Sequence, residues 1–154
     1  MVKVLYKLFL GIMVALFIGF GISVFYPAPT QPDYPTEIIN TSPENIASAE
    51  KKTNTDFNKA QKDYQQKFAV YSRNVSAIAV ISSVVLLILS LMVLLNISII
   101  GDGILLGGIF TLAYGIIRAF MSDSNKFQFG VVTIGLIVAL TLGYWKFLRL
   151  ETKK

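Results

Sequence analysis

The stretch YSRNVSAIAVISSVVLLILSLMVLLN, residues 71–96, decides the fold because it joins two helical patterns without a break. The 28 residues between Arg73 and Asp102 carry no charge, and they contain no glycine or proline before Gly101. A membrane span needs about 20 predominantly apolar residues. The sequence therefore predicts a transmembrane helix over 76–96.

Upstream of this span, large apolar residues keep helical spacing through a polar segment. Phe57, Tyr64 and Tyr71 lie seven apart, and Phe68 falls four residues after Tyr64. This spacing places them in one stripe along a helix. We therefore expect an extramembrane helix over 44–75 that continues into the second span.

Three further uncharged gaps predict three further spans. They contain 25, 15 and 19 residues and lie between Lys7 and Asp33, between Asp102 and Arg118, and between Lys126 and Lys146. The 15-residue gap is long enough for a span if Asp102 and Arg118 lie at the two interfaces. The chain is 54% hydrophobic and only 15% charged, and 154 residues are too few to bury four such helices in a soluble core. We expect an all-α integral membrane protein with its first transmembrane helix in 1–26 and helices 2–4 in 76–147.

The segment between the first span and the polar helix is rich in proline. Pro29, Pro32 and Pro35 lie three residues apart, which is the period of a polyproline II helix. Ser42 is a suitable N-cap for the helix that follows. The sequence predicts an extended linker over 27–43 that packs as a stiff strut on the aromatic stripe.

Basic residues give the expected orientation. Lys3 and Lys7 precede the first span, and a basic tail, 148–154, follows the last one. We therefore expect both termini in the cytoplasm and 27–73 outside, in a bacterial inner membrane. In this orientation six basic residues lie inside and eight outside, so the total count by itself favours the reverse orientation. The first apolar run is about 20 residues long, which exceeds the 7–15 residues of a signal peptide's apolar region, so we expect a retained anchor.

The residue types that are missing limit the chemistry. The chain has no cysteine and no histidine, which excludes disulfides, thiolate and imidazole metal ligands, and catalysis by either side chain. No acid–base pair lies within a predicted span. We expect no enzymatic activity, no cofactor and no metal site, and no nucleic-acid partner because the basic residues lie at helix ends.

Small residues spaced four apart recur in three of the predicted spans. Such stripes allow helix backbones to approach closely in lipid, where no hydrophobic force drives helices together. We interpret them as intramolecular packing faces, with self-association or partner docking as the alternative. The packing positions are Gly11, Ala15 and Gly19 in the first span, Gly103, Gly107, Thr111, Gly115 and Ala119 in the third, and Gly135, Ala139 and Gly143 in the fourth.

Two charged residues near the ends of the third span are candidates for an ion or polar site. Asp102 and Arg118 are 16 residues apart, about 24 Å along a helix, so they cannot pair with each other. Structural roles are favoured for both. Asp102 fits the turn of a hairpin predicted over 96–103, and Arg118 can extend to the interface from its helix end.

These patterns favour a non-enzymatic accessory or interaction protein that acts through its outer helix and its small-residue faces. The interaction stripe of the outer helix consists of Phe57, Tyr64, Phe68 and Tyr71. The expected partners are the lipid bilayer and another membrane protein or a second copy. The alternative is a transporter or channel subunit that forms a pathway as an oligomer. Thr111 and three serines of the second span would line that pathway: Ser76, Ser83 and Ser90. These serine hydroxyls can donate hydrogen bonds either to a neighbouring helix or to the backbone of their own helix.

Overall fold

The protein folds as four helices that pack side by side. The computed structural model describes residues 1–33, 46–94 and 98–151, with side chains for 1–33, 54–93 and 98–145. Within these residues there is no strand, and the helices are α1 (Val2–Phe25), α2 (Ile46–Leu94), α3 (Ser98–Phe120) and α4 (Asn125–Glu151). Each is long and apolar enough to cross a membrane. The predicted all-α class is confirmed, and the four apolar helices indicate a membrane protein.

The second helix is the longest element, and it is continuous. It runs for 49 residues, about 74 Å at 1.5 Å per residue, more than twice the thickness of a bilayer's hydrocarbon core. It contains neither glycine nor proline, the two residues that interrupt helices. The predicted continuity between the polar helix and the second span is therefore confirmed. The proposed N-cap, Ser42, lies outside the described residues.

The third helix is central, since it packs against the other three. It runs parallel to α1 and antiparallel to α2, whose Ser76 and Ser90 bond the two ends of α3. The helix α4 packs against α3 and, less extensively, against α2, through a cluster that joins its Val131 to Leu112 and Ala119 of α3 and to Val80 of α2. The bundle is thus a tight group of three helices with α4 attached along one side.

One predicted turn is wrong. The hairpin expected over 96–103 would place Asp102 in a turn, but α3 begins at Ser98 and includes Gly101, Asp102 and Gly103. No described glycine has a positive φ, so these glycines do not provide turn conformations. Gly101 and Gly103 are both buried. Close approach of neighbouring helices explains why glycine stands at these positions better than turn geometry does.

Candidate functional site

The small residues of α3 divide between two neighbouring helices. A Cβ atom at Gly107 would lie 2.8 Å from Cβ of Val14 on α1, whereas one at Gly115 would lie 2.9 Å from Cγ2 of Val80 on α2. Four residues exceed one helical turn by about 40°, so a spacing of four winds around the helix. The predicted stripe on one face of α3 is therefore corrected: its start faces α1 and its end faces α2.

A second glycine pattern on α3 escaped the sequence reasoning. Gly101, Gly108 and Gly115 lie seven apart, and all three are buried. A spacing of seven drifts by only about 20° per step, so it keeps to one face. The signal was available in the sequence, because the serines of the second span repeat at the same interval.

The serines of α2 meet this glycine face in an antiparallel register. The Oγ of Ser76 donates to the carbonyl oxygen of Gly115 at 2.7 Å, and the Oγ of Ser90 donates to that of Gly101 at 2.7 Å. Ser83, midway between them, instead bonds the carbonyl of Val80 in its own helix. All three serines are fully buried. Bonds to a neighbouring helix and bonds within the same helix, the two alternatives left open by the sequence, therefore both occur. All three hydroxyls donate to backbone carbonyls.

The other predicted packing positions differ in what surrounds them. Gly11 lies against α3, where an added Cβ would be 2.7 Å from Cβ of Leu106. Gly135 faces Ile116, whereas a Cβ added at Gly19 or Gly143 would have no atom within 4 Å. The remaining members are Thr111 and Ala119, which are buried, Ala15, which is half-buried, and Ala139, which is exposed.

Asp102 forms an ion pair that joins α1 to α3. Its carboxylate contacts the Nζ of Lys7, 95 residues earlier in the chain, and both side chains are partly buried, with 20% exposure for Asp102 and 27% for Lys7. The parallel register of the two helices brings these residues to the same level. Sequence reasoning missed Lys7 because the helices' relative register cannot be read from either segment alone.

Arg118 belongs to a cluster of aromatic side chains at the opposite end of α3, which we call the boundary cluster: Tyr26, Tyr71, Asn74, Tyr114 and Arg118. The guanidinium lies 5.6 Å from the ring centre of Tyr71, and its Nε donates to the hydroxyl of Tyr114 at 3.1 Å. Tyr71 also stacks on Tyr26, with ring centres 5.3 Å apart and planes 3° apart. Asn74 donates to the Tyr26 hydroxyl at 2.9 Å. The cluster ties the end of α1 to α2 and α3.

The extended segment after α1 runs back along the N-terminal half of α2. Pro29 lies beside Tyr71 in one shallow groove, and Pro32 lies beside Phe57 and Tyr64 in another. The order of these neighbours shows that the segment runs antiparallel to the helix. Phe57, Tyr64 and Phe68 are half-buried, and Tyr71 is buried. The stripe is therefore partly covered by its own chain, at the place where the sequence predicted a strut. The later part of the predicted linker lies outside the described residues.

An apolar groove of about 570 Å³ lies on the outer surface between α1 and α3. Ala15 and Gly19 form part of its α1 wall, and Phe110 and Tyr114 form its α3 wall. Since nothing lies within 4 Å of the Cβ position of Gly19, the small residues open this groove instead of closing a helix contact.

No family model, curated protein or solved structure matches this chain. The described part of the chain also holds no cluster of three or more acidic side chains that could bind a metal ion.

Proposed function

We propose that the protein is a non-enzymatic accessory subunit of the membrane that presents its outer helix to another membrane protein. The observation that carries this proposal is the boundary cluster. A helix that leaves the bilayer alone would bend or rotate freely, but here Tyr71 is buried and stacked on Tyr26 at the end of α1. The outer part of α2 is thereby held at a defined angle to the spans.

The surface of this outer helix suits a protein partner. Its apolar stripe is partly covered by the extended segment, while Lys59 and Asp63 are exposed. Charged side chains at defined positions of a rigid helix give specificity to an interface. We place both termini in the cytoplasm and 27–73 outside, in a bacterial inner membrane, as the orientation that the basic ends favour.

The bonding of the buried polar groups argues against the transporter alternative. A pathway lined by Ser76, Ser90 and Thr111 requires hydroxyls that are free to bind the substrate. Each of these hydroxyls instead donates to a backbone carbonyl, and each side chain is at most 1% exposed. They therefore act as bonds within and between the helices.

Site-specific photocrosslinking tests the proposal. A benzophenone amino acid is placed at Lys59 or Asp63 in the full chain, and crosslinks are formed in native membranes. We expect each position to give a protein adduct of defined mass. Leu140, which is 66% exposed on α4 within a candidate span, is the matched control and should give none of that mass. Absence of adducts at both outer positions would contradict the proposal.

A further inference from the structure

We propose that the groove between α1 and α3 binds one acyl chain of an anionic phospholipid, whose phosphate is held by Arg118. This inference requires the four helices to lie in a bilayer, but it does not depend on the proposed accessory role. It rests on the shape of the groove, on the position of Arg118 at its end, and on the charge of that residue.

The groove has the shape and chemistry of an acyl-chain site. It extends along α1 from Ile12 to Ser23, about 16 Å at 1.5 Å per residue. Its walls are almost entirely apolar, and at Gly19 on the α1 wall no atom lies within 4 Å of the Cβ position. A lipid tail in this position gains contacts on two helices that it would lack on a flat surface.

The register of the helices places Arg118 at one end of the groove. Lys7 faces Asp102 at a separation of 95 residues, and the same offset brings Arg118 level with Ser23. Tyr114 connects the two features, because its ring lines the groove and its hydroxyl accepts a hydrogen bond from Arg118. The guanidinium thus lies within one side chain of the groove's end.

Arg118 offers a positive charge that no described carboxylate neutralises. Among the described side chains no carboxylate lies within ion-pair distance of it, whereas the other charge of α3, Asp102, faces Lys7. Its described contacts are the rings and hydroxyl of tyrosines and the sulfur of Met121. A guanidinium binds phosphate oxygens through paired N–H donors.

A phospholipid satisfies both features with one molecule. The tail fills the apolar groove, and the phosphate reaches the guanidinium where the tyrosines mark the interface. A transmembrane helix of another copy would fill the groove, but it would leave Arg118 without an anion unless it brought a carboxylate to the same level. We therefore assign the site to a lipid with a net negative headgroup.

Native mass spectrometry of the full chain in nonionic detergent tests the site. The probes are palmitoyl-oleoyl phosphatidylglycerol and the phosphatidylcholine with the same chains. We expect one phosphatidylglycerol to bind about tenfold more tightly than phosphatidylcholine, because the choline ammonium offsets the phosphate charge. Arg118→Gln should remove this preference, and Arg73→Gln, at an exposed position of α2, should preserve it.

A second pair of variants tests the groove itself. Gly19→Leu fills it and is expected to weaken the binding of both lipids about tenfold. Gly21→Leu is the matched control, because Gly21 also has no atom within 4 Å of its Cβ position but does not line the groove. The open surroundings of both glycines mean that neither variant has to disturb the packing of the bundle.

Three outcomes would overturn the assignment. The first is equal lipid binding by the Gly19 and Gly21 variants. The second is a preference for phosphatidylglycerol that survives in Arg118→Gln. The third is a change in dimer fraction in Gly19→Leu without a change in lipid binding, which would identify the groove as an interface between copies. None of these measurements depends on the crosslinking result at the outer helix, so the two proposals can fail separately.

Discussion

Replacing Gly11 by alanine should separate α1 from α3 and destabilise the bundle. The added Cβ would lie 2.7 Å from Cβ of Leu106, 3.2 Å from the backbone nitrogen of Gly107 and 3.3 Å from the carbonyl oxygen of Gly103. None of these atoms is the flexible end of a long side chain. The clash can therefore be relieved only by moving one helix away from the other.

The expected cost follows from these distances. Carbon atoms pack best at about 3.5–4.0 Å, so the helices must separate by about 1 Å at this point. Overpacking of this kind costs about 1–3 kcal/mol. Alanine also stabilises the interior of a helix by about 0.5–1 kcal/mol relative to glycine. A control variant must therefore correct for this stabilisation before the cost of the clash is measured.

Gly21→Ala on the same helix supplies that correction. Its Cβ would have no neighbour within 4 Å, so this variant has the higher helix stability of alanine without the steric clash. We expect Gly11→Ala to have a free energy of unfolding about 1–3 kcal/mol lower than that of Gly21→Ala. Equilibrium unfolding in mixed micelles of nonionic detergent and SDS, with the folded fraction measured by pulse proteolysis, gives both values. Equal stability of the two variants would refute the close approach of α1 and α3.

Three further perturbations test the other contacts. Ser76→Ala removes a hydrogen bond to α3 and should lower the free energy of unfolding by about 0.5–1.5 kcal/mol relative to Ser82→Ala, in the same assay. Lys7→Met removes the cation that faces Asp102 and should destabilise the protein by about 1 kcal/mol, a modest value because both side chains keep some solvent exposure. Exchanging the two charges, by combining Lys7→Asp with Asp102→Lys, should recover most of that loss. Tyr26→Ala removes a ring stack on α2 and should raise the rate of proteolysis within the extended segment about two- to tenfold.

Each of these predictions has an outcome that contradicts it. Equal stability of the two serine variants would mean that the hydroxyl bond to α3 contributes nothing. A charge exchange no more stable than Lys7→Met would show that the pair does not depend on complementary charge. Unchanged proteolysis in Tyr26→Ala would mean that the stack does not hold the extended segment on α2.

The sequence by itself determined the number and kind of the helices. Hydrophobic runs of span length and the lack of glycine and proline in α2 are local properties, and they act in the same way whatever the helices pack against. For the same reason the period of the aromatic stripe predicted the long continuous helix. The start of α3 was misjudged because glycine beside aspartate is typical both of a turn and of a close helix contact.

Only the tertiary structure decided which residues meet. Lys7 and Asp102 are 95 residues apart, and their pairing depends on the relative height of two helices that no single segment encodes. The contacts of the α3 glycines also depend on the packing of the helices. Residues spaced four apart wind around α3, so Gly107 packs against α1 and Gly115 packs against α2. Composition sets how many helices form, but the close packing of backbones sets their register, and that register places each charge, hydroxyl and groove.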